Sequence, residues 1–222
     1  GISNIIFIHP AQFLVNKYFK GLCGGTYVEL GGLDGVRFSN SHLFHHGLDW
    51  KGVLIEPNPK SFASLQGNRP NDDTFNFAVC SHSSEVTFVD SGTGAVTGIL
   101  EFMAPSFVSR WHPENAEHTK IRCEPMWRIL DKSSIDVART VIDFLSLDVE
   151  GGEFEVIKTI DFSKVQFGVI FYEADNTNPM KDEAMIRFLE NKGYPFRAHV
   201  ASSNFHVSKR WDHIYARLLG KS

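Results

Sequence analysis

Long apolar runs are missing from this chain. No stretch approaches the ~18 consecutive apolar residues of a membrane-spanning helix. The apolar opening, Ile2 and then Ile5 to Ile8, is short, lacks a basic flank and leads to no small-residue cleavage site. It reads as packing and not as a secretory leader, so the expected location is the cytoplasm. Cysteine is scarce, with three in 222 residues. Cys23, Cys80 and Cys123 form no C-x-x-C pair, which argues against structural zinc and leaves buried, reduced thiols as the expectation. Ten histidines include no H-E-x-x-H motif, and the adjacent His45 and His46 would point apart on a helix or a strand. Positive charge is not in surplus: the formal net charge is -4 and the pI about 6.2, so no global basic footprint for nucleic acid exists. The G-x-G-x-x-G of a dinucleotide fold is also absent.

What remains is an ordinary globular composition, 42% apolar and 22% charged, with 19 Phe for a core. The length suits one domain over residues 1–222. Strand and helix signals alternate, which predicts a mostly parallel sheet with helices on both faces. A helix is expected over residues 9–20, the first strand over 26–30, a helix over 39–46 and a second strand over 53–55. The last of these stops at Glu56-Pro57-Asn58-Pro59, where two prolines forbid continuing the ladder. A helix near 60–68 and strands over 75–79 and 85–89 follow. From 90 to 126 periodicity fails, and an irregular stretch of that length marks this segment as a candidate substrate-recognition insertion. Order returns with a helix near 126–132, a strand over 141–147, a helix over 153–159 and a strand over 167–172. A helix opened by Pro179 and stopped by Gly193 comes next, and the tail 205–219 supplies a terminal hairpin or antiparallel strands.

The chemistry-bearing residues stand at strand ends, where ligands bind in open α/β sheets. Residues 28–35 read Val-Glu-Leu-Gly-Gly-Leu-Asp-Gly, a glycine turn flanked by Glu29 and Asp34. Glu56 lies 21 positions beyond Gly35, the place from which a carboxylate accepts hydrogen bonds from both hydroxyls of a ribose. Acidic residues beside a glycine turn suit no pyrophosphate. They suit S-adenosylmethionine, whose sulfonium and ammonium are positive, with the glycines allowing close backbone approach. For Glu29, a structural carboxylate bonded to backbone amides is a second reading.

These residues resemble the FkbM family of S-adenosylmethionine-dependent methyltransferases from Tyr27 to about Tyr194. The likeness rests on the glycine turn with Ser39-Asn40 behind it, Trp50-Lys51-Gly52 leading to Ile55-Glu56-Pro57, Ala78-Val79-Cys80, and Thr97-Gly98-Ile99-Leu100. Its strongest element runs from Ile142 to Val156 through Asp148-Val149-Glu150-Gly151-Gly152-Glu153. The resemblance implies a class I methyltransferase (Rossmann-like) fold, with a seven-stranded, mostly parallel sheet and a reversed last hairpin. It also implies O-methylation of a hydroxyl on a sugar, glycan, lipid or small molecule.

On that reading Glu29, Gly31, Asp34, Gly35, Asn40, Glu56, Pro57, Asn76, Ala78 and Asp148 are the cofactor-binding candidates. Asn40 also fits a helix cap. Asp148, Glu150 and Glu173 are the catalytic candidates, because a base must take the acceptor's proton; His112 and His206 are fallbacks. Together with Glu153 and Asp175, these acids also admit a divalent metal with oxygen ligands such as Mg. A cap-type RNA ribose 2'-O-methyltransferase would use Lys17 and Asp148 but expects a lysine where Glu173 stands, and the acidic balance disfavours a phosphate polymer. A nicotinamide-dependent oxidoreductase would share the glycine turn and Glu56, but the acids around the turn disfavour it. A non-catalytic cofactor-binding protein would carry the same pattern without a working base. The expected partner is a hydroxylated small molecule or glycan, with oligomeric state left open.

Overall fold

The computed structural model describes residues 10–90, 97–103, 108–109, 116–136, 140–174, 179–200, 202–212 and 215. His112, Asp175 and much of the expected insertion lie outside these residues. Among the described residues eleven strands form two sheets. In chain order they are β1 (Thr26–Leu30), β2 (Lys51–Ile55), β3 (Asp73–Phe75), β4 (Ala78–Val79), β5 (Ser84–Asp90), β6 (Thr97–Ile99), β7 (Glu117–Glu124), β8 (Ile142–Leu147), β9 (Phe167–Glu173), β10 (Phe196–Val200) and β11 (Ser203–Val207). The helices are α1 (Pro10–Leu14, continued by a π-helical turn over Val15–Phe19), α2 (His42–Leu48), α3 (Pro59–Asn68), α4 (Met126–Leu130), α5 (Glu153–Thr159) and α6 (Pro179–Asn191), with a 3-10 turn at Leu100–Phe102.

The larger sheet has the order β10-β11-β9-β8-β1-β2-β3. It is parallel except for β11, which runs antiparallel to both β9 and β10, so the expected reversed hairpin is present. β8 is buried at all six positions and β9 at all but its last, as strands covered on both faces must be. Alternation assigns the faces. Val28, Leu30, Leu145, Leu147 and Ile170 pack with Met126, Ile129, Val156 and Leu189 from α4, α5 and α6. Tyr27, Leu54, Phe144, Val169 and Phe171 pack on the other side with Phe19, Phe44, Trp50 and Leu65.

β1 leads through α2 and α3 to β2 and β3 on one side, while β8 and β9 lie on the other. Strand order therefore reverses between β1 and β8, and a crevice opens at their carboxyl ends. Helix α5 begins and ends where the sequence places it. The expected strand over 75–79 instead breaks at Asn76. That residue turns its side-chain amide onto the carbonyls of Glu56 (2.7 Å) and Pro57 (3.0 Å), and Ala78 and Val79 leave for the second sheet.

The second sheet, ordered β4-β7-β5-β6, corrects two expectations. The region 90–126 is not wholly irregular, because it contributes β6, the 3-10 turn and the eight-residue β7. Nor are all the cysteines reduced thiols: Cys80 and Cys123 form a disulfide, while Cys23 is free and exposed. Sequence spacing could not show this, because β4 and β7 are adjacent only through strand pairing.

Candidate active site

The crevice is walled by four segments. The turn after β1 gives Leu30, Gly31, Leu33 and Phe38, and the end of β2 gives Ile55, Glu56 and Pro57. The second sheet and its approach give Phe77, Ala78, Val79, Phe88, Thr97, Gly98, Ile99 and Phe102. The end of β8 gives Asp148, Val149 and Glu150, with Val156 behind. The space amounts to about 770 Å³ including its open mouth.

Close approach dictates the glycine. Gly31 has φ +78°, and a Cβ there would lie 1.8 Å from the Asp148 carbonyl oxygen. The Asp148 amide donates to Leu30 O at 3.1 Å and the Gly31 amide to Ile55 O at 3.0 Å, which locks three strand ends together. Leu33, Phe38 and Glu150 all adopt positive φ (50°, 61° and 53°), and all three line the cavity. Left-handed backbone at bulky residues is costly and collects at functional sites. Phe38 is also 60% exposed.

Glu56 is only 4% exposed. Its Oε2 accepts the Leu33 amide at 2.8 Å and its Oε1 the Asn58 amide at 2.8 Å. Each oxygen thus keeps accepting capacity for a ligand. Burial pushes its carboxyl up to about 7, against the pull of the Asn58 and Leu33 amides.

The other expected cofactor residues fall into two groups. Gly31, Glu56, Pro57, Ala78 and Asp148 line the cavity; Glu29, Asp34, Gly35, Asn40 and Asn76 stand behind it and shape the wall. Glu29, 1% exposed, accepts from the Asn40 amide (2.6 Å) and from the hydroxyls of Ser39 (2.8 Å) and Ser41 (2.5 Å). It therefore ties the turn to the entrance of α2. Asp34 accepts the amides of Val36 and Arg37 at 2.9 and 2.7 Å. At Gly35 an added Cβ would press on Leu65 and Arg69 at 2.6 and 2.7 Å.

Arg69 is a site-shaping residue that sequence reasoning missed. Fully buried, its guanidinium donates to Gly35 O (2.7 Å), Tyr27 Oη (3.0 Å), Ser39 Oγ (3.1 Å), Ser41 Oγ (2.7 Å) and Asp72 Oδ2 (3.1 Å). Nothing in its position at the end of α3 marks it, since its partners lie up to 42 residues away. Asn58 was also missed; it caps α3 by accepting the Lys60 amide at 2.9 Å, a signal visible in Asn-Pro preceding a helix.

At the end of β8, oxygens of Asp148, Glu150 and Glu173 lie within 4.8 Å of one another. The structure thus brings all three expected catalytic carboxylates together. Burial raises the Asp148 carboxyl well above its usual range, and Glu173, Glu150, Glu153 and Glu29 raise it further. Glu153 serves the loop itself. Its Oε1 accepts the amides of Val149 (3.2 Å) and Gly151 (3.0 Å), and its Oε2 pairs with Lys181 at 3.3 Å. Lys181 also donates to Gly151 O at 2.9 Å. His206 is buried in the β11 packing against the Tyr194 carbonyl. Lys17 sits over the rings of Phe13 and Tyr18. Neither lines the cavity.

Residues 27–196 match the family model described as the methyltransferase FkbM domain. Among solved structures, the chain resembles the FkbM methyltransferase from Methylobacillus flagellatus KT (TM-score 0.50, 13% identity), covering 83% of this chain and 43% of that one. It also resembles a precorrin-6y C5,15-methyltransferase from Geobacter metallireducens GS-15 (TM-score 0.44, 13% identity, 91% and 90% covered). A third likeness is to TrmK of M. capricolum in complex with S-adenosyl-homocysteine (TM-score 0.44, 9% identity, 90% and 67% covered). No curated protein sequence matches the chain. Among the described residues no helix is long and apolar enough to cross a membrane.

Proposed function

The chain belongs to the FkbM methyltransferase family, and from that premise we propose that it binds S-adenosylmethionine in the crevice and methylates a hydroxyl of a sugar, glycan, lipid or small molecule. The observation that carries the cofactor reading is Glu56. A buried carboxylate with one amide on each oxygen, facing a cavity at the switch point, is built to take a 2′,3′-diol. Ala78 and Pro57 then flank the adenine, and Gly31 lets the methionine portion run between the ends of β1 and β8. Glu29, Asp34, Gly35, Asn40 and Asn76 act one layer back, holding the turn and the β2 exit in shape.

Bound S-adenosylmethionine would supply an electrophilic methyl group, and the chain's own work is positioning and proton removal. Asp148 is the base: it lines the cavity, and its raised carboxyl lies closer to operating pH than an ordinary aspartate, as a general base requires. Glu173 and Glu150 add to the elevation that burial produces. The same three carboxylates are the residues that would hold a hard divalent cation such as Mg, since the donor set is oxygen only; Asp148 would then act as a ligand in place of the base, and the cation would acidify the acceptor hydroxyl. The wall from the second sheet, with Phe88, Ile99 and Phe102, faces the acceptor side, so region 90–126 is the recognition segment.

Three acids beside the transfer point repel a phosphate polymer, and Glu173 stands where the RNA ribose reading wants a lysine. That reading is therefore set aside. Isothermal titration with S-adenosylmethionine, S-adenosylhomocysteine and NAD tests the proposal. Micromolar binding of the first two is expected; tight NAD binding with neither of the others would sink it.

A further inference from the structure

The disulfide stands at a particular place. Cys80 follows β4 and its amide donates to Glu124 O at 3.1 Å. Cys123 sits in β7, in register with both Ala78 and Ser84. The sulfurs therefore close the base of the excursion that carries β5, β6 and the 3-10 turn. Phe88, Thr97, Gly98, Ile99 and Phe102 lie inside the closed loop, while Gly31, Glu56, Asp148 and Glu150 lie outside it. The excursion touches the catalytic loop directly: a Cβ on Gly98 would lie 3.5 Å from Glu150 Cβ, and one on Gly152 would lie 3.5 Å from Phe102. Its attachment through β4 is slight, two residue pairs of parallel ladder. Both cysteines are buried, at 7% and 1% exposure, and their Cα atoms are 5.7 Å apart, within the reach a bridge requires.

We propose that the Cys80–Cys123 bridge is a structural staple of the acceptor wall, formed as the chain folds in an oxidising compartment, so that the enzyme meets its acceptor outside the reducing cytosol. Persistent disulfides belong to such compartments, and burial shields this one from soluble thiols. The proposal places the chain in a different compartment from the cytoplasm expected from the sequence. Formation is a thiol–disulfide exchange with a disulfide donor of that compartment. The Cys80 thiolate attacks the donor disulfide and expels one thiolate. The Cys123 thiolate then attacks the Cys80 sulfur of the mixed disulfide and expels the second. Two protein thiols are oxidised, one donor disulfide is reduced to two thiols, and the protons given up by Cys80 and Cys123 pass through solvent to the two expelled thiolates. The acceptor half of the proposal rests on the methyl-transfer reading; the bridge and its compartment do not.

Thiol trapping in intact source cells tests the compartment. A membrane-permeant alkylating reagent is applied before lysis, the chain is then denatured without reductant in fresh reagent so that buried free thiols also react, and the labelled cysteines are mapped by mass spectrometry. Label on Cys23 alone is expected; label on Cys80 and Cys123 overturns the proposal. The role of the staple is tested on the folded, purified full chain before and after dithiothreitol. Limited proteolysis between residues 81 and 122 should speed up roughly thirtyfold on reduction, the scale of a lost staple. The Cys80→Ser/Cys123→Ser variant should match it. Affinity for S-adenosylhomocysteine should change by less than about threefold, because the residues proposed to hold it lie outside the loop. Unchanged proteolysis after verified reduction refutes the staple. Failure of S-adenosylhomocysteine to bind the oxidised chain refutes the cofactor reading instead, and the trapping result stands apart from it.

Discussion

Glu56 makes cofactor affinity depend on pH in a way that can be worked out in advance. Burial holds its carboxyl at about 7 in the free protein, but the form that accepts two ribose hydroxyls is the carboxylate. Binding therefore expels a proton at acidic pH. With a midpoint of about 7, about one molecule in ten carries the competent carboxylate at pH 6 and about one in a hundred at pH 5. The apparent Kd for S-adenosylhomocysteine should weaken about tenfold for each pH unit below 7 and level off above 8, a slope of ~1.4 kcal/mol per unit. Stability of the free protein runs the other way. The folded-state value is raised above the unfolded 4.5, so the contribution is fully present below pH 4.5 and is lost as pH rises through about 7, a loss of ~3 kcal/mol. Titration calorimetry from pH 5.5 to 8.5, in buffers of different ionisation heat, reads both affinity and protons released. Glu56→Gln should bind more weakly and lose most of the slope. An affinity that is flat with pH, or tightens on acidification, would refute the ribose assignment and with it the role given to the turn.

Three other outcomes follow from the geometry. Gly31→Ala should abolish S-adenosylhomocysteine binding in calorimetry, because its Cβ would land 1.8 Å from the Asp148 carbonyl oxygen; retained affinity would mean that the two strand ends are further apart than described. Arg69→Met should lower stability by ~3–5 kcal/mol in urea unfolding, since it breaks the buried Arg69–Asp72 ion pair, strips the Ser39 and Ser41 hydroxyls of a donor and removes the positive charge near Glu29. Once an acceptor is found, Asp148→Asn should slow transfer by about 10²-fold or more, and the wild-type rate should fall on the acid side of a midpoint raised above an ordinary aspartate. An unaltered rate would assign the base elsewhere.

The parts of the site that the sequence discloses are those fixed by strand ends. Gly31, Glu56 and Asp148 each stand one residue past β1, β2 and β8. The apolar runs of β8 and the prolines after β2 make those ends visible without coordinates. What stays hidden depends on partners far along the chain. Glu29 reads as a ligand for a positive cofactor until Ser39, Asn40 and Ser41 are seen to occupy it. β7 looks irregular because, of its eight residues, only Ile121, Cys123 and Glu124 are buried, which leaves little apolar alternation to detect. The Cys80–Cys123 bridge, 43 residues apart, requires the pairing of β7 with both β4 and β5. Phe38 and Glu150 carry no sequence mark of their left-handed backbone, since only glycine and asparagine advertise it.

The most direct test is the structure of the chain crystallised with S-adenosylhomocysteine. The ligand should lie in the crevice between β1 and β8, with both ribose hydroxyls within hydrogen-bond distance of the Glu56 carboxylate and the sulfur facing Asp148. A ligand bound elsewhere, or a ribose that makes no contact with Glu56, would contradict the cofactor assignment.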